Sequence, residues 1–62
     1  MEFNFYTSDI QVFDEGVNLE SWNEALEHAR YLLQAHPEIS YVKYTESELA
    51  NDIGGNWEWE YR

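Results

Sequence analysis

The hydrophobic and polar positions of the chain follow two different periods, and the helical one gives the clearest element. Ser21, with Glu24 three residues later, forms a capping box in which each side chain satisfies a free backbone N–H. Pro37 ends the pattern, because the residue before a proline avoids the α conformation. At about 100° per residue, the pattern predicts a helix from Ser21 to about His36 with an apolar face. That face comprises Trp22, Ala25, Leu26, Ala29, Leu32, Leu33 and His36.

Alternating patterns on both sides of this helix predict β-strands. The segment from Glu2 to Phe13 is typical of either one bent strand or a hairpin, and Asp14-Glu15-Gly16 is expected to end it. Ile39 to Thr45 is rich in β-formers and predicts a strand. Trp57 to Arg62 alternates strictly, with three aromatic side chains on one face and Glu, Glu and Arg on the other. This last segment is also predicted to be a strand.

The stretch between the last two strands stays ambiguous. Thr45 and Glu48 could form a second capping box that opens a short helical turn within Glu46–Asp52, or the stretch could be a loop. Gly54-Gly55-Asn56 is typical of a turn, because these residues tolerate positive φ.

The order β(β)αββ predicts a single α+β domain over residues 1–62. We expect two layers: an antiparallel sheet of three or four strands with the helix packed on one face. The expected core brings helix residues against sheet aromatics, namely Trp22, Leu26 and Leu33 against Phe3, Phe5, Trp57 and Trp59.

Composition favours a folded protein that carries an unusual charge. The 62 residues include 13 carboxylates and 3 strong bases, which gives a net charge of −10. A hydrophobic fraction of 44% with 18% aromatics argues against disorder, and the lack of cysteine excludes a disulfide-rich miniprotein. No apolar run reaches the roughly 18 residues of a membrane span, and the start lacks a leader pattern, so we expect a cytoplasmic protein. Direct binding to nucleic acid or anionic lipid is disfavoured by repulsion.

The sequence offers little catalytic or metal-binding chemistry. His28 and His36 are its only histidines, and no nucleophile elbow, phosphate loop or HExxH site is present. Glu24 and His28 could share a metal at i,i+4 spacing, but a solvated pair on the helix face is the favoured interpretation. His36 is expected to stabilise the negative end of the helix dipole. Residues 51–56 resemble a calcium loop without its alternating ligands. We therefore expect a non-enzymatic protein without a metal or cofactor.

The excess of acid suggests a binding function. Glu20, Glu24 and Glu27 form a helical stripe with spacings of about 5–6 Å, centred on Tyr31, and same-face strand residues lie about 6.6 Å apart. Such rows imitate a sparse phosphate backbone, in which phosphates follow one another at about 3.4 Å along each strand. Arg30 is expected to pair with Glu27. Tyrosines beside carboxylates suit arginine-rich surfaces. The candidate partner-binding residues are Asp14, Glu15, Glu20, Glu24, Glu27, Tyr31, Tyr44, Glu46, Glu58 and Glu60, with the sheet side of Tyr44 and Glu46 left open.

In size, acidity and lack of cysteine, the chain resembles the phage and mobile-element inhibitors that mimic nucleic acid, such as anti-CRISPR and anti-restriction proteins. The resemblance rests on no residue motif. It implies a non-enzymatic inhibitor, acting in the host cytoplasm, that occupies the basic DNA- or RNA-binding surface of a host defence complex. The alternative is an acidic protein–protein interaction module, or a small homodimer, that binds through an aromatic sheet face. A monomer and a homodimer are both compatible with the sequence.

Overall fold

The structure, a computed structural model, describes residues 1–7, 12–47 and 56–62. These residues form a two-layer α+β domain, which confirms the predicted fold class. One antiparallel sheet has the strand order β2-β1-β3-β4, so β2 and β4 are its edges, and the helix packs on one face. The elements in chain order are β1 (Glu2–Tyr6), β2 (Val12–Asn18), α1 (Trp22–Ala35), β3 (Tyr41–Glu46) and β4 (Glu58–Tyr61).

The N-terminal segment is a pair of antiparallel strands rather than one bent strand. The predicted break at Asp14-Glu15-Gly16 is wrong, because β2 runs through it. The register shifts there, and Gly16 adopts φ +66°, a left-handed conformation that glycine reaches without steric cost. The N–H of Gly16 donates to Asn4 Oδ1 at 2.8 Å, so the bulge stays tied to β1.

The helix begins and ends close to the predicted residues. Ser21 is its N-cap and His36 its C-cap, and the N–H of His36 donates to the carbonyl of Leu32 at 2.9 Å. With 14 residues, α1 is shorter than the roughly 20 that a membrane-crossing helix needs, and none in the described part of the chain is long and apolar enough to cross.

The core lies between α1 and the central strands. Its buried residues are Phe3, Phe5, Ala25, Ala29, Leu32, Leu33, Val42 and Tyr44, with Trp22 and Leu26 partly buried around them. The helix and β1 contributions were expected. Placing Trp57 and Trp59 in the core was wrong: Trp59 pairs with Lys43, and both point to the sheet face opposite α1. Trp57 lies on the same face, beside Tyr6.

The third strand differs from its predicted bounds by one or two residues at each end. The predicted strand Ile39 to Thr45 is β3, which starts two residues later and ends one later. The predicted turn at Gly54-Gly55-Asn56 and the ambiguous stretch Glu46–Asp52 fall mostly on residues 48–55, outside the described residues.

Candidate functional site

The solvent side of α1 carries a row of carboxylates that ends in a tyrosine. We call Glu20, Glu24, Glu27 and Tyr31 the acidic helix face. All four are exposed; Glu24, Glu27 and Tyr31 lie opposite the buried side of the helix, as predicted, and Glu20 precedes its N-cap. None of its three glutamates forms an ion pair with a Lys, Arg or His in the described part of the chain. Their carboxylates therefore face solvent without an ion-pair partner among the residues that the structure describes.

Capping contacts fix the first part of this face. Ser21 Oγ accepts the backbone N–H of Glu24 at 3.3 Å, as the capping box predicts. The returning bond is displaced by one residue: Glu24 Oε2 accepts the N–H of Glu20 at 2.6 Å, not that of Ser21. The carboxylate of Glu24 is thus held at the positive end of the helix dipole, which stabilises its charge.

Arg30 joins the helix to the sheet instead of pairing along the helix. Its Nε donates to Glu60 Oε1 at 2.9 Å, and this hydrogen bond, together with the charge of Glu60, raises the pKa of Arg30 above its usual value. The charge of Glu27, the expected partner, acts on Arg30 only as a weaker contribution. Glu60 is therefore neutralised, whereas Glu27 remains available to a partner.

Three glutamates of the sheet lie on its helix side. Glu46 Oε1 accepts the indole N–H of Trp22 at 2.8 Å, which holds this carboxylate near the start of α1. Glu58 and Glu60 share a side of β4 because they pair with Tyr44 and Val42, both buried against α1. Glu58 is exposed, and it extends the negative surface from α1 to the edge strand.

Tyr44 belongs to the core and not to the candidate surface. Its side chain is 4% exposed, and its ring stacks on Phe5 at 5.5 Å between centroids. Burial, followed by the nearby charges of Glu58 and Glu60, raises the pKa of its hydroxyl. The strand register decides this placement, and the sequence had left it open. A buried ring cannot contact a partner, so we remove Tyr44 from the candidate binding residues.

Asp14 and Glu15 lie on β2, the edge strand far from β4. Asp14 Oδ2 is 2.7 Å from His28 Nε2, so the helical histidine pairs with this strand and not with Glu24. Glu15 is exposed. Within residues 1–7, 12–47 and 56–62, no group of three or more His, Asp or Glu side chains is placed to hold a metal ion. Through His28, whose ring centroid lies 6.0 Å from that of Tyr31, Asp14 borders the acidic helix face.

The C-terminal arginine caps the helix, a role that the sequence analysis missed. The guanidinium of Arg62 donates to the carbonyl of Leu33, to that of His36 at 2.7 Å and to that of Ile39 at 3.1 Å. A cation is favourable at this end of a helix, where carbonyls lack intrahelical partners. The sequence predicts this stabilising role for His36, which is the C-cap and whose Nδ1 lies 3.1 Å from Glu38 Oε1. The strict alternation of β4, which puts Arg62 on the glutamate side, was the available signal.

Lys43 is also engaged away from the carboxylates. Its Nζ lies 4.1 Å from the ring centroid of Trp57 and 5.0 Å from that of Trp59, within cation–π range. It belongs to a group that we call the aromatic sheet face, on the side of the sheet opposite α1: Tyr6, Tyr41, Lys43, Trp57, Trp59 and Tyr61. Of the three strong bases, only Arg30 therefore pairs with a described carboxylate.

The chain was compared with known protein families, curated proteins and solved structures. No protein-family model, curated protein or solved structure matches the chain. The function must therefore be argued from the surface itself.

Proposed function

We propose that this protein is a non-enzymatic binding protein that occupies the basic nucleic-acid-binding surface of another protein or complex. The observation that carries the proposal is the acidic helix face, whose three glutamates are exposed and form no ion pair within the described part of the chain. A Lys- and Arg-lined groove attracts such a surface as it attracts phosphates, and counterion release adds to the affinity.

The spacing of the carboxylates supports mimicry of a phosphate row. Glu24 and Glu27 are i,i+3 neighbours on α1, a spacing of roughly 5–6 Å, and Glu20 precedes the N-cap, with its backbone N–H bound by the Glu24 carboxylate. Glu58 continues the negative surface on β4, the strand to which Arg30 ties the helix. A cationic groove can therefore meet the helix glutamates and, beyond the Arg30–Glu60 pair, the exposed carboxylate of Glu58 on the same side of the molecule.

The rigidity of the surface supports a direct inhibitory role. Capping by Ser21 and Arg62 fixes both ends of α1, and the helix packs on a buried core. A rigid surface loses little conformational entropy on binding, so its charges contribute to affinity with little ordering cost. A protein of this kind competes with nucleic acid by occupying the same groove, in agreement with the resemblance to inhibitors of host defence complexes in the cytoplasm.

Competition with DNA tests the proposal. The protein is immobilised and incubated with host-cell lysate at about 50 mM NaCl, and captured material is challenged with duplex DNA and with salt up to about 300 mM. We expect duplex DNA to displace the captured protein, and we expect the affinity to fall steeply with salt. Capture that survives DNA and is insensitive to salt would contradict the mimicry.

A charge-matched pair of variants locates the surface. The double variant Glu20→Gln/Glu27→Gln removes two charges from the acidic helix face. The control Glu2→Gln/Glu38→Gln makes the same change at two exposed positions elsewhere. We expect the first variant to bind about tenfold more weakly at low salt and to lose salt sensitivity, while the control stays close to wild type. Equal losses in both variants would assign binding to net charge and not to this face.

A further inference from the structure

The face of the sheet opposite α1 exposes aromatic rings in a connected cluster. Trp59 is 42% exposed and Tyr61 65% exposed. Their rings lie 6.4 Å apart at an interplanar angle of 12°, and Tyr41 contacts both, at 5.1 Å from Trp59 and 5.7 Å from Tyr61. With aromatic side chains of about 150–250 Å² each, these exposed fractions leave roughly 160–270 Å² of Trp59 and Tyr61 open to solvent in one contiguous patch.

On β3 and β4 this patch carries no carboxylate among the described residues; on the same face of the sheet, Glu2 lies at the end of β1, where it alternates with buried Phe3. On β3 and β4 the carboxylates of Glu46, Glu58 and Glu60 all point to the helix side, since they alternate with the aromatic positions. Among the described residues of these two strands, Lys43 is the only charged side chain on the aromatic side. In a chain with a net charge of −10, this is the surface on which a second copy meets least repulsion.

We propose that two copies of the chain associate through their aromatic sheet faces, giving four layers in the order helix, sheet, sheet, helix. A 62-residue domain buries a small core, and oligomerisation is one of the ways in which domains of this size gain stability. The partner sheet covers Trp59 and Tyr61, and the ammonium of Lys43 keeps its cation–π contacts, which strengthen as water is excluded.

The charge distribution favours this arrangement over edge pairing. With the sheets face to face, the two acidic helix faces lie on opposite outer sides of the dimer. The thinnest dimension of one copy is 16 Å, so these charges lie well beyond the screening length of about 8 Å at physiological salt. Pairing β4 with β4 would instead bring Glu58 and Glu60 against the same residues of the second copy, which is unfavourable.

Charge also argues against single-stranded nucleic acid as the occupant. Single-stranded nucleic acid stacks on aromatic platforms, but it requires a positive groove along its backbone. A net charge of −10 gives the opposite field. A second copy needs no such groove, and its own patch supplies the apolar surface that covers these rings.

Sedimentation measurements test the dimer. From about 5 to 500 µM we expect a concentration-dependent shift from monomer to dimer, because a small aromatic interface gives a micromolar dissociation constant. Raising NaCl from about 50 to 300 mM is expected to strengthen the dimer by screening the net repulsion, whereas it weakens binding to a basic partner. A monomer throughout this range would overturn the proposal and leave the proposed function untouched.

Two exposed tyrosines provide a matched comparison. Tyr61→Glu puts a charge into the aromatic sheet face, and Tyr31→Glu puts the same charge on the helix side; the wild-type side chains are 65% and 60% exposed. We expect Tyr61→Glu to weaken the dimer about tenfold or more and Tyr31→Glu to leave it intact, with circular dichroism confirming the fold of each. Equal behaviour of the two variants would overturn the assignment of the face.

A measurement on the wild-type chain keeps the test independent of folding defects. Trp59 is covered in the dimer and exposed in the monomer, so acrylamide quenching of tryptophan fluorescence should rise as the protein is diluted. Quenching that stays constant while the mass changes would place the interface elsewhere.

Discussion

At the scale of single residues, the three strong bases explain why the acidic helix face keeps its charge. Arg62 binds carbonyls at the end of α1, and Lys43 lies over two tryptophan rings. Among the described residues, Arg30 is the one strong base that pairs with a carboxylate, that of Glu60 on the sheet. These contacts stabilise the fold without neutralising the helix, so fold and binding surface do not compete for the same cations.

Tyr44 gives a pH dependence whose sign follows from its burial. Its pKa is raised in the folded protein, so above about pH 10 the unfolded chain loses this proton more readily than the folded one. The stability contribution is complete at lower pH and is lost as the pH rises through the folded pKa. We expect Tyr44→Phe to lose less stability than wild type between about pH 8 and pH 11, measured by urea unfolding. An identical loss in both proteins would contradict the burial of this hydroxyl.

At the scale of elements, the sequence predicted α1 well because several local signals agree. The capping box, the 3.6-residue period and Pro37 all act within a few residues, and each has one structural meaning. The alternation of Trp57 to Arg62 correctly gave two faces, but alternation does not state which face meets the helix. That choice depends on contacts distant in sequence, in which Glu60 meets Arg30 and Arg62 meets the end of α1. The large aromatic side chains of Trp57 and Trp59 therefore led to the wrong expectation that their face of β4 meets the helix.

The bulge in β2 is a second place where the local sequence pattern did not predict the structure, because contacts with another strand decide it. Asp14-Glu15-Gly16 carries turn-forming residues, yet pairing with β1 continues through it because Gly16 absorbs the irregularity. The candidate site residues show the same difference between local and distant signals. The helical period alone correctly predicted that Glu24 and Glu27 are exposed on α1. Tyr44 depended on the strand register and could not be placed.

The left-handed conformation of Gly16 in β2 predicts how substitutions at this position change stability. A Cβ at this position would meet nothing within 4 Å, so substitution affects only the backbone, which sits at φ +66°. We expect Gly16→Ala to lower the free energy of unfolding by about 1–2 kcal/mol, the cost of a left-handed alanine. Gly16→Asn should cost clearly less, because asparagine tolerates this conformation. Chemical denaturation of both variants measures the difference, and equal costs would argue against a left-handed residue here.

At the scale of the whole molecule, the two layers separate two kinds of surface. The helix side is acidic and suits a cationic partner, while the far side of the sheet is aromatic, and on β3 and β4 its described residues include no carboxylate. A dimer through the aromatic sheet face would leave both acidic helix faces exposed on opposite sides. The two proposals are therefore compatible, and their opposite responses to salt separate them experimentally.

The central claim is that cationic ligands bind at the acidic helix face, and amide chemical-shift mapping tests it most directly. The probe is a synthetic deca-arginine peptide, titrated at about 50 and 300 mM NaCl. We expect the largest shifts between Glu20 and Tyr31 and around Glu58, and we expect them to diminish strongly at the higher salt. Shifts spread evenly over the surface, or concentrated at Trp59 and Tyr61, would contradict the central claim.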